Sequence, residues 1–215
     1  MTTRIRSATA ADAPFLAWVM LTASRSHVSR GAWDLYVDGP DARVLAFLER
    51  LATQPEPSFC RWRNFLVADV DGAPAAALSG YLPRDPGMLD PEPAIAVAGR
   101  VALGWDPPAM RAADARVASF LTCISAPAPD AWAVEWVATR PEFRRRGLVH
   151  ELLLVILDAG RARRLTRSEI MVFIGNSPAQ GAYERAGYRV VDEKRHADFA
   201  RAVGCPGIAR MTREL

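Results

Sequence analysis

Residues 131–164 read AWAVEWVATRPEFRRRGLVHELLLVILDAGRARR, and this stretch decides the fold. An apolar, β-rich run ends near Ala138, Pro141 interrupts it, and an arginine-glycine turn leads into an amphipathic helix that starts near Gly147. A helix N-terminus exposes N–H groups that carry about half a positive charge. The order of strand, turn and helix therefore predicts a seat for a phosphate-bearing ligand.

The arginines of this turn, Arg144, Arg145 and Arg146, have two interpretations. A basic run is most often a solvated surface. Because Gly147 and a helix follow directly, the run instead favours charge-assisted contacts to a diphosphate. The patterns G-x-x-x-x-G-K-[S/T] and G-x-G-x-x-G are absent, which excludes a nucleotide-hydrolase loop and a dinucleotide fingerprint.

The residues before this stretch predict a strand, two helices and a hairpin. Arg4–Arg6 is predicted as a short strand and Ala8–Thr22 as the helix that it leads into. Asp41–Leu51 places its apolar residues on one helical stripe. Between Asn64 and Tyr81 an Asp-Gly turn separates two apolar runs, which predicts two antiparallel strands.

A helical insertion and four short C-terminal elements complete the prediction. Two apolar segments between Pro-rich loops, Ala94–Leu103 and Ala109–Ile124, predict an inserted helical region. The later elements are a buried-type strand, a short helix, a strand and a last edge strand, at Glu169–Ile174, Pro178–Ala186, Tyr188–Val191 and Gly207–Arg213. The predicted elements thus include both strands and helices.

Composition narrows the class of protein. The chain has 215 residues, half of them apolar, and a formal net charge of +3. Its richest apolar run, near Leu148–Leu157, is too short to span a bilayer, and the first residues lack the apolar core of a secretory signal. We therefore expect a cytoplasmic protein without a membrane partner.

Cysteines and basic residues exclude further classes. Cys60, Cys123 and Cys205 are odd in number and widely separated, so we expect neither a disulfide nor a metal site. The weak net charge disfavours a nucleic-acid partner. This holds despite the arginines of one segment, Arg161, Arg163, Arg164 and Arg167.

Two motifs in this sequence resemble those of the GNAT superfamily of acyl-CoA N-acyltransferases. The first is V-A-T-R-P-E-F-R-R-R-G-L-V at Val137–Val149, similar to V-x-x-x-P-x-x-R-x-x-G-x-G/A, with Val149 where Gly or Ala is usual. The second is N-S-P-A-Q-G-A-Y-E-R-A-G-Y at Asn176–Tyr188, similar to N-x-x-A-x-x-x-Y-x-x-x-G-F. The resemblance covers residues 132–191 and extends over 5–81, but it does not cover 83–130.

The resemblance implies a fold and a reaction. The fold is a mixed, mostly antiparallel sheet flanked by helices, in one domain over residues 1–215 with an inserted helical region at about 83–130. The sheet opens between the strands at Val134–Ala138 and Ile170–Ile174. An amine attacks the thioester of acetyl-CoA, or another acyl-CoA, directly in a ternary complex. The partner is a small-molecule or peptide amine, a homodimer is possible, and no metal is needed.

The resemblance also implies which residues bind the coenzyme. The turn and the helix start would bind the pyrophosphate, the strand edge at Val137 and Ala138 would pair with the pantetheine arm, and one of these two N–H groups would face the thioester oxygen. His150 lies in the first helical turn, where it either reaches a phosphate or simply packs against the protein or faces solvent. The full set is Val137, Ala138, Thr139, Arg144, Arg145, Arg146, Gly147, Leu148, Val149, His150, Asn176 and Tyr183.

Proton transfer and acceptor binding involve four candidate residues. The second motif assigns Tyr183 as the acid that protonates the departing thiolate, against the alternative of a core tyrosine. Glu135 interrupts an apolar strand two residues before Val137, so alternation places both side chains on one face and makes Glu135 the candidate base. The alternative is a solvent-facing carboxylate. Trp33 and Tyr36 are candidates for the acceptor pocket, against a plain core role.

The rival to an enzyme is a catalytically silent module of the same fold that binds or senses acyl-CoA. Such a module needs Gly147 and the pyrophosphate turn but has no use for Tyr183.

Overall fold

The computed structural model describes residues 2–215. Within these residues seven strands form one sheet in the order β1-β2-β3-β4-β5-β7-β6. The strands are β1 Thr3–Ser7, β2 Phe65–Val70, β3 Ala73–Tyr81, β4 Trp132–Thr139, β5 Arg167–Phe173, β6 Arg189–Arg195 and β7 Gly207–Glu214. All neighbours are antiparallel except β4 and β5, which run parallel. The predicted mixed, mostly antiparallel α/β fold is confirmed.

Helices cover both faces of this sheet. They are α1 Ala13–Arg25, α2 Ala32–Val37, α3 Asp41–Ala52, α4 Glu92–Leu103, α5 Pro107–Leu121, α6 Leu148–Ala162, α7 Ser177–Arg185 and α8 Ala197–Val203. Residues of α1 to α5 and α8 build the apolar cluster on one face, and residues of α6 and α7 build the cluster on the other. Helices α2 and α8 were not predicted, because six or seven residues are too few to show a helical period.

The two parallel strands separate after a short paired segment. Trp132–Val134 of β4 pairs with Ser168–Ile170 of β5, and no later residue of β4 pairs with β5. The backbone from Glu135 onward is therefore unpaired on the β5 side. This is the opening that the sequence predicts between the two strands.

A bulge interrupts β4 where the opening begins. Ser79 of β3 pairs with Glu135, whereas Ala77 pairs with Ala138, so two residues of β4 stand opposite one residue of β3. Trp136 takes a positive φ of 53° at this point. A bulge of this kind breaks the alternation of side chains along a strand.

The last strand corrects one prediction. We expected Gly207–Arg213 at the edge of the sheet, but β7 lies between β5 and β6 and pairs with both. The edge strand is β6, whose residues are mostly exposed. A chain returning to insert between two earlier strands leaves no local sequence signal, because strand order depends on long-range pairing.

The two helices α4 and α5, which lie in the predicted inserted region, pack beside other helices of the chain. α4 lies against α3, and α5 lies against α2 and α8. In residues 2–215 no helix is long and apolar enough to cross a membrane.

Candidate active site

One cavity of about 1690 Å³ lies in the opening between β4 and β5. Pockets for a single drug-sized ligand measure about 300–1,000 Å³, so this cavity has room for more than one such ligand. The residues predicted for the coenzyme, for catalysis and for the acceptor all line it. They are Trp33, Tyr36, Glu135, Val137, Ala138, Thr139, Arg144, Arg145, Arg146, Gly147, Leu148, Val149, His150, Asn176 and Tyr183.

One end of the cavity is formed by the start of α6. Gly147 precedes the helix in a left-handed conformation, with φ of 80°, and offers no side chain to cap it. The first helical hydrogen bond here runs from the Glu151 N–H to the Gly147 carbonyl at 3.1 Å. Within residues 2–215 the N–H groups of Leu148, Val149 and His150 have no acceptor. They therefore offer three donors and the positive end of a helix dipole to an anion.

The side chains around this helix start add positive charge. Arg144, Arg145 and Arg146 are exposed, and Arg146 also donates to the Glu142 carbonyl at 3.1 Å. A Cβ atom at Gly147 would meet only open space, so a glycine here serves the backbone conformation rather than a close contact within the protein. Val149, which stands where the motif usually has Gly or Ala, is half-buried and packs against the apolar cluster under α6.

Asn176 fixes the other wall of the opening. Its side-chain oxygen accepts from the Ala179 N–H at 3.2 Å and caps α7. Its amide nitrogen donates to the Ser26 hydroxyl at 2.7 Å, at the end of α1. Both groups of the amide are thus engaged within the protein, and contact between Asn176 and a coenzyme stays a prediction.

Glu135 lies in the cavity wall, and its carboxylate is held by one tyrosine. The Tyr81 hydroxyl donates to Glu135 Oε1 at 2.8 Å. Burial raises the pKa of Glu135 from its ordinary 4.5 to about 7, while the bond from Tyr81 acts in the opposite direction. A carboxylate with such a pKa changes its protonation near neutral pH, as a general base requires.

The alternation that was predicted to place Glu135 and Val137 on one face is wrong. Because of the bulge, Trp136 packs against the cluster on the α1–α5 side, and Val137 packs against the cluster under α6. Glu135 points to the face of Tyr81, opposite to that of Val137. The solvent-facing alternative does not hold either, because Glu135 is only partly accessible and faces the cavity.

Tyr183 reaches the cavity from α7. The residue is 6% exposed, and its ring meets Tyr188 edge-on at 6.3 Å between centroids. Within residues 2–215 its hydroxyl has no hydrogen-bond partner. Burial raises the pKa of Tyr183 well above the usual range, so the phenol stays protonated.

Short helix α2 brings Trp33 and Tyr36 to the cavity, although both also pack in the core. Arg25 at the end of α1 binds Asp34 at 2.6 Å and Asp41 at 2.6 Å, which holds the starts of α2 and α3 together. A Cβ atom at Gly31 would lie 2.0 Å from the carbonyl oxygen of residue 24, so only glycine allows this approach of α2 to α1. Trp33 and Tyr36 thus pack in the core and also line the cavity, and their contact with an acceptor stays a prediction.

Several lining residues were not predicted from the sequence. Asp90, Glu92 and Asp114 come from the predicted inserted region, which the family motifs do not cover. Tyr81, which holds Glu135 but is not among the residues that line the cavity, was visible in the sequence only as the last residue of the predicted hairpin. Which residue of β4 its hydroxyl reaches depends on the pairing of β3 with β4, where Tyr81 lies opposite Ala133. In residues 2–215 no group of three or more potential ligands is placed to hold a metal ion.

The site defines a class: an α/β protein whose sheet opens onto a long cavity, with an uncapped helix start and arginines at one end. A family model, the Acetyltransferase (GNAT) family, matches residues 33–188. The match spans more than half of the chain, and the protein therefore belongs to the GNAT acetyltransferase family. Among curated proteins no sequence matches the chain significantly.

Solved structures share the fold over the whole length. An acetyltransferase crystal structure is 18% identical with a TM-score of 0.69, and each chain is covered to 98%. An N-acetyltransferase from Staphylococcus aureus Mu50 is 17% identical with a TM-score of 0.71, covering 98% of this chain and 100% of that one. Rv2747 from Mycobacterium tuberculosis, solved in complex with CoA and NLQ, is 13% identical with a TM-score of 0.51 and covers 99% of both chains. Identities this low show a common fold and no more.

Proposed function

We propose that the protein is an N-acetyltransferase that moves the acetyl group of acetyl-CoA to an amine by direct attack in a ternary complex. One observation carries the proposal. A buried tyrosine, a carboxylate with a pKa near 7 and an uncapped helix start with three unpartnered N–H groups line the same cavity. Membership of the family supports the donor, and acetyltransferases of this family act on amine acceptors.

The residues at the start of α6 fit the diphosphate of the coenzyme. The unpartnered N–H groups of Leu148 to His150 supply donors, and the exposed arginines supply charge. The open edge of β4 beyond Val134 would accept the amide groups of the pantetheine arm like an added strand. Acetyl-CoA bound in this way presents its thioester at the bulge, where the N–H of Val137 or Ala138 would donate to the carbonyl oxygen.

Glu135 and Tyr183 would handle the two protons of the reaction. Glu135 takes one proton from the acceptor ammonium, directly or through water, and the neutral nitrogen then bonds to the acetyl carbon. As the bond from carbon to sulfur breaks, Tyr183 donates its phenolic proton to the sulfur, and the second proton that the nitrogen loses restores the phenol. A free phenol has a pKa of about 10 and a thiol about 8.5. These ordinary pKa values are close enough for proton transfer, and burial, which raises the pKa of Tyr183, keeps the phenol protonated until the thiolate forms.

The silent acyl-CoA-binding module makes a different prediction for Tyr183. In an enzyme, Tyr183→Phe binds acetyl-CoA with an affinity near that of the wild type but loses most of its acetyl transfer to a panel of amines, followed by mass spectrometry of the products. Tyr188→Phe is the matched control, because it removes the neighbouring tyrosine hydroxyl that bonds Ser168 at 2.7 Å. Equal product formation by wild type and Tyr183→Phe would refute the acid role. No transfer by the wild type despite tight acetyl-CoA binding would favour the module.

A further inference from the structure

The cavity of the candidate active site carries opposite charges at its two ends. The lining residues with basic side chains lie mostly around the start of α6, here called the coenzyme end, with His27 after α1 and Arg185 on α7: His27, Arg144, Arg145, Arg146, His150 and Arg185. The other end is lined by residues of α2, the predicted inserted region and the start of the bulge, here called the acceptor chamber. Its carboxylates are Glu135 inside and three exposed residues, Asp90, Glu92 and Asp114, here called the acidic rim.

An aromatic wall connects the inner carboxylate to the acidic rim. Tyr81 stacks on Phe59 at 5.6 Å, Phe59 stacks on Trp136 at 5.9 Å, and Trp136 meets Trp33 at 5.6 Å between ring centroids. Trp33 continues to Tyr36 at 6.4 Å. Each end of this row donates a hydroxyl to a carboxylate. Tyr81 donates to Glu135 at 2.8 Å, and Tyr36 donates to the rim at Asp114 at 3.2 Å.

The charges around the rim are negative on balance. Burial, together with the charges of Asp114 and Glu92, raises the pKa of the Tyr36 hydroxyl well above its usual range. Arg116 is the nearby cation, and it donates to the carbonyls of Leu35 and Tyr36 rather than lining the cavity. Among the described lining residues of α2, the predicted inserted region and the bulge, none is a lysine, arginine or histidine, and His27, in the loop before α2, lies beside Gly175.

These features select one kind of acceptor over others. A cationic amine is attracted by the acidic rim, finds aromatic faces that favour cations and apolar groups, and ends at Glu135. A carboxylate on the acceptor would instead enter an apolar chamber beside Glu135 with no basic partner, which is costly. A free amino acid or an acidic peptide is therefore a poor fit.

We propose, on the basis of the proposed function, that the acceptor is a positively charged amine with an aromatic or apolar body and no carboxylate near its reacting nitrogen. The aromatic wall binds the body and the acidic rim selects the charge. This assigns Glu92 and Asp114 as specificity-determining residues from outside the family motifs.

The test measures binding of matched probes to the full chain saturated with coenzyme A, by calorimetry at about pH 8, where Glu135 is largely ionised. The probes are 2-phenylethylamine, phenylalanine and 2-phenylethanol, which differ only in a carboxylate or in the amine. We expect 2-phenylethylamine to bind at least about tenfold more tightly than phenylalanine, because burying the unpaired carboxylate of phenylalanine costs more free energy than a tenfold difference in affinity requires. We expect the neutral alcohol to bind weakly as well.

A double variant tests the acidic rim. Because the double variant Glu92→Gln with Asp114→Asn removes two exposed charges, it should weaken binding of 2-phenylethylamine about two- to thirtyfold, or about 0.4–2 kcal/mol, and leave acetyl-CoA binding unchanged. The loss should shrink in high salt, because exposed charges are screened. The control is Glu49→Gln, which removes an exposed carboxylate of α3 that does not line the cavity. It should leave every probe unaffected.

The outcomes separate this inference from the proposed function. Normal acetyl-CoA binding with no binding of 2-phenylethylamine, or with phenylalanine bound as tightly, would overturn the inference alone. The same holds if the double variant binds 2-phenylethylamine like the wild type. Absence of acetyl-CoA binding would overturn the proposed function and the inference with it.

Discussion

The hydrogen bond between Tyr81 and Glu135 sets the pH range in which the proposed base works. Tyr81→Phe removes the hydroxyl that donates to Glu135 Oε1 at 2.8 Å and keeps the ring stacked on Phe59. This bond favours the ionised carboxylate, so its loss raises the pKa of Glu135 further. Glu135 must be ionised to take a proton, and the rise of kcat/KM with pH therefore moves to higher pH in the variant.

The size of the shift follows from the strength of the bond. Hydrogen bonds to charged groups contribute about 1.5–3 kcal/mol, and one pKa unit corresponds to about 1.36 kcal/mol. The protonated carboxyl keeps part of the bond through its carbonyl oxygen, so we expect the lower end, about one unit. With Glu135 starting at a pKa of about 7, kcat/KM falls about fivefold at about pH 7 and recovers near pH 9.

The assay is release of the coenzyme A thiol across this pH range, with an amine acceptor found by screening. Tyr188→Phe is the control, since it also removes a buried hydroxyl hydrogen bond but lies in the opposite cluster, away from Glu135. It should leave the pH at which the rate rises unchanged. A Tyr81→Phe profile that coincides with the wild type, or that moves to lower pH, would refute the assignment of Glu135 as a base held by Tyr81.

Three further predictions concern stability and the coenzyme site. The pKa of Glu135 is raised from 4.5 to about 7, so its contribution to stability is present below about pH 4.5 and lost as pH rises through about 7. The unfolding free energy of the wild type, measured in urea, should therefore decline by at most about 3 kcal/mol between about pH 5 and 8. Glu135→Gln should abolish this decline, and an unchanged decline in the variant would contradict the prediction. In Gly147→Ala the new methyl group meets no neighbour, but the φ of 80° is strained for alanine, which costs about 1–2 kcal/mol and lowers Tm by about 2–4 °C per kcal/mol. This variant should also bind acetyl-CoA more weakly, whereas the control Gly104→Ala, at a φ of 68° and equally open, should lower Tm alone. Equal acetyl-CoA affinity in both variants would count against a coenzyme site at the start of α6. Asn176→Ala removes the cap of α7 and should lower the unfolding free energy in urea by about 1–2 kcal/mol, and a wild-type value would show that the cap contributes nothing.

Much of the cavity wall around the start of α6 was predictable because its signals are local. The strand, the turn and the helix start lie within residues 131–164, so spacing alone fixes which residues meet there. The second motif adds Asn176 and Tyr183, and both line the same cavity. Signals of this kind can be interpreted without knowing the long-range contacts of the fold.

The remaining features depend on contacts between distant segments. The bulge at Trp136 reverses the direction of Val137 relative to Glu135, and a strand sequence does not reveal where an extra residue is accommodated. The acidic rim joins residues from separate places in the chain, although no run of acidic residues marks an amine site in the sequence. The position of β7 inside the sheet follows from pairing with β5 and β6, which lie earlier in the chain.

Thermal unfolding with acetyl-CoA, and in parallel with ATP, tests the central claim most directly. A ligand that binds only the folded state stabilises it by about 2.7 kcal/mol at a hundredfold excess over its dissociation constant, which corresponds to a shift of several degrees for a chain of this size. We predict this shift with acetyl-CoA and none with ATP. No shift with acetyl-CoA, or an equal shift with ATP, would contradict the claim that the cavity is built for acetyl-CoA.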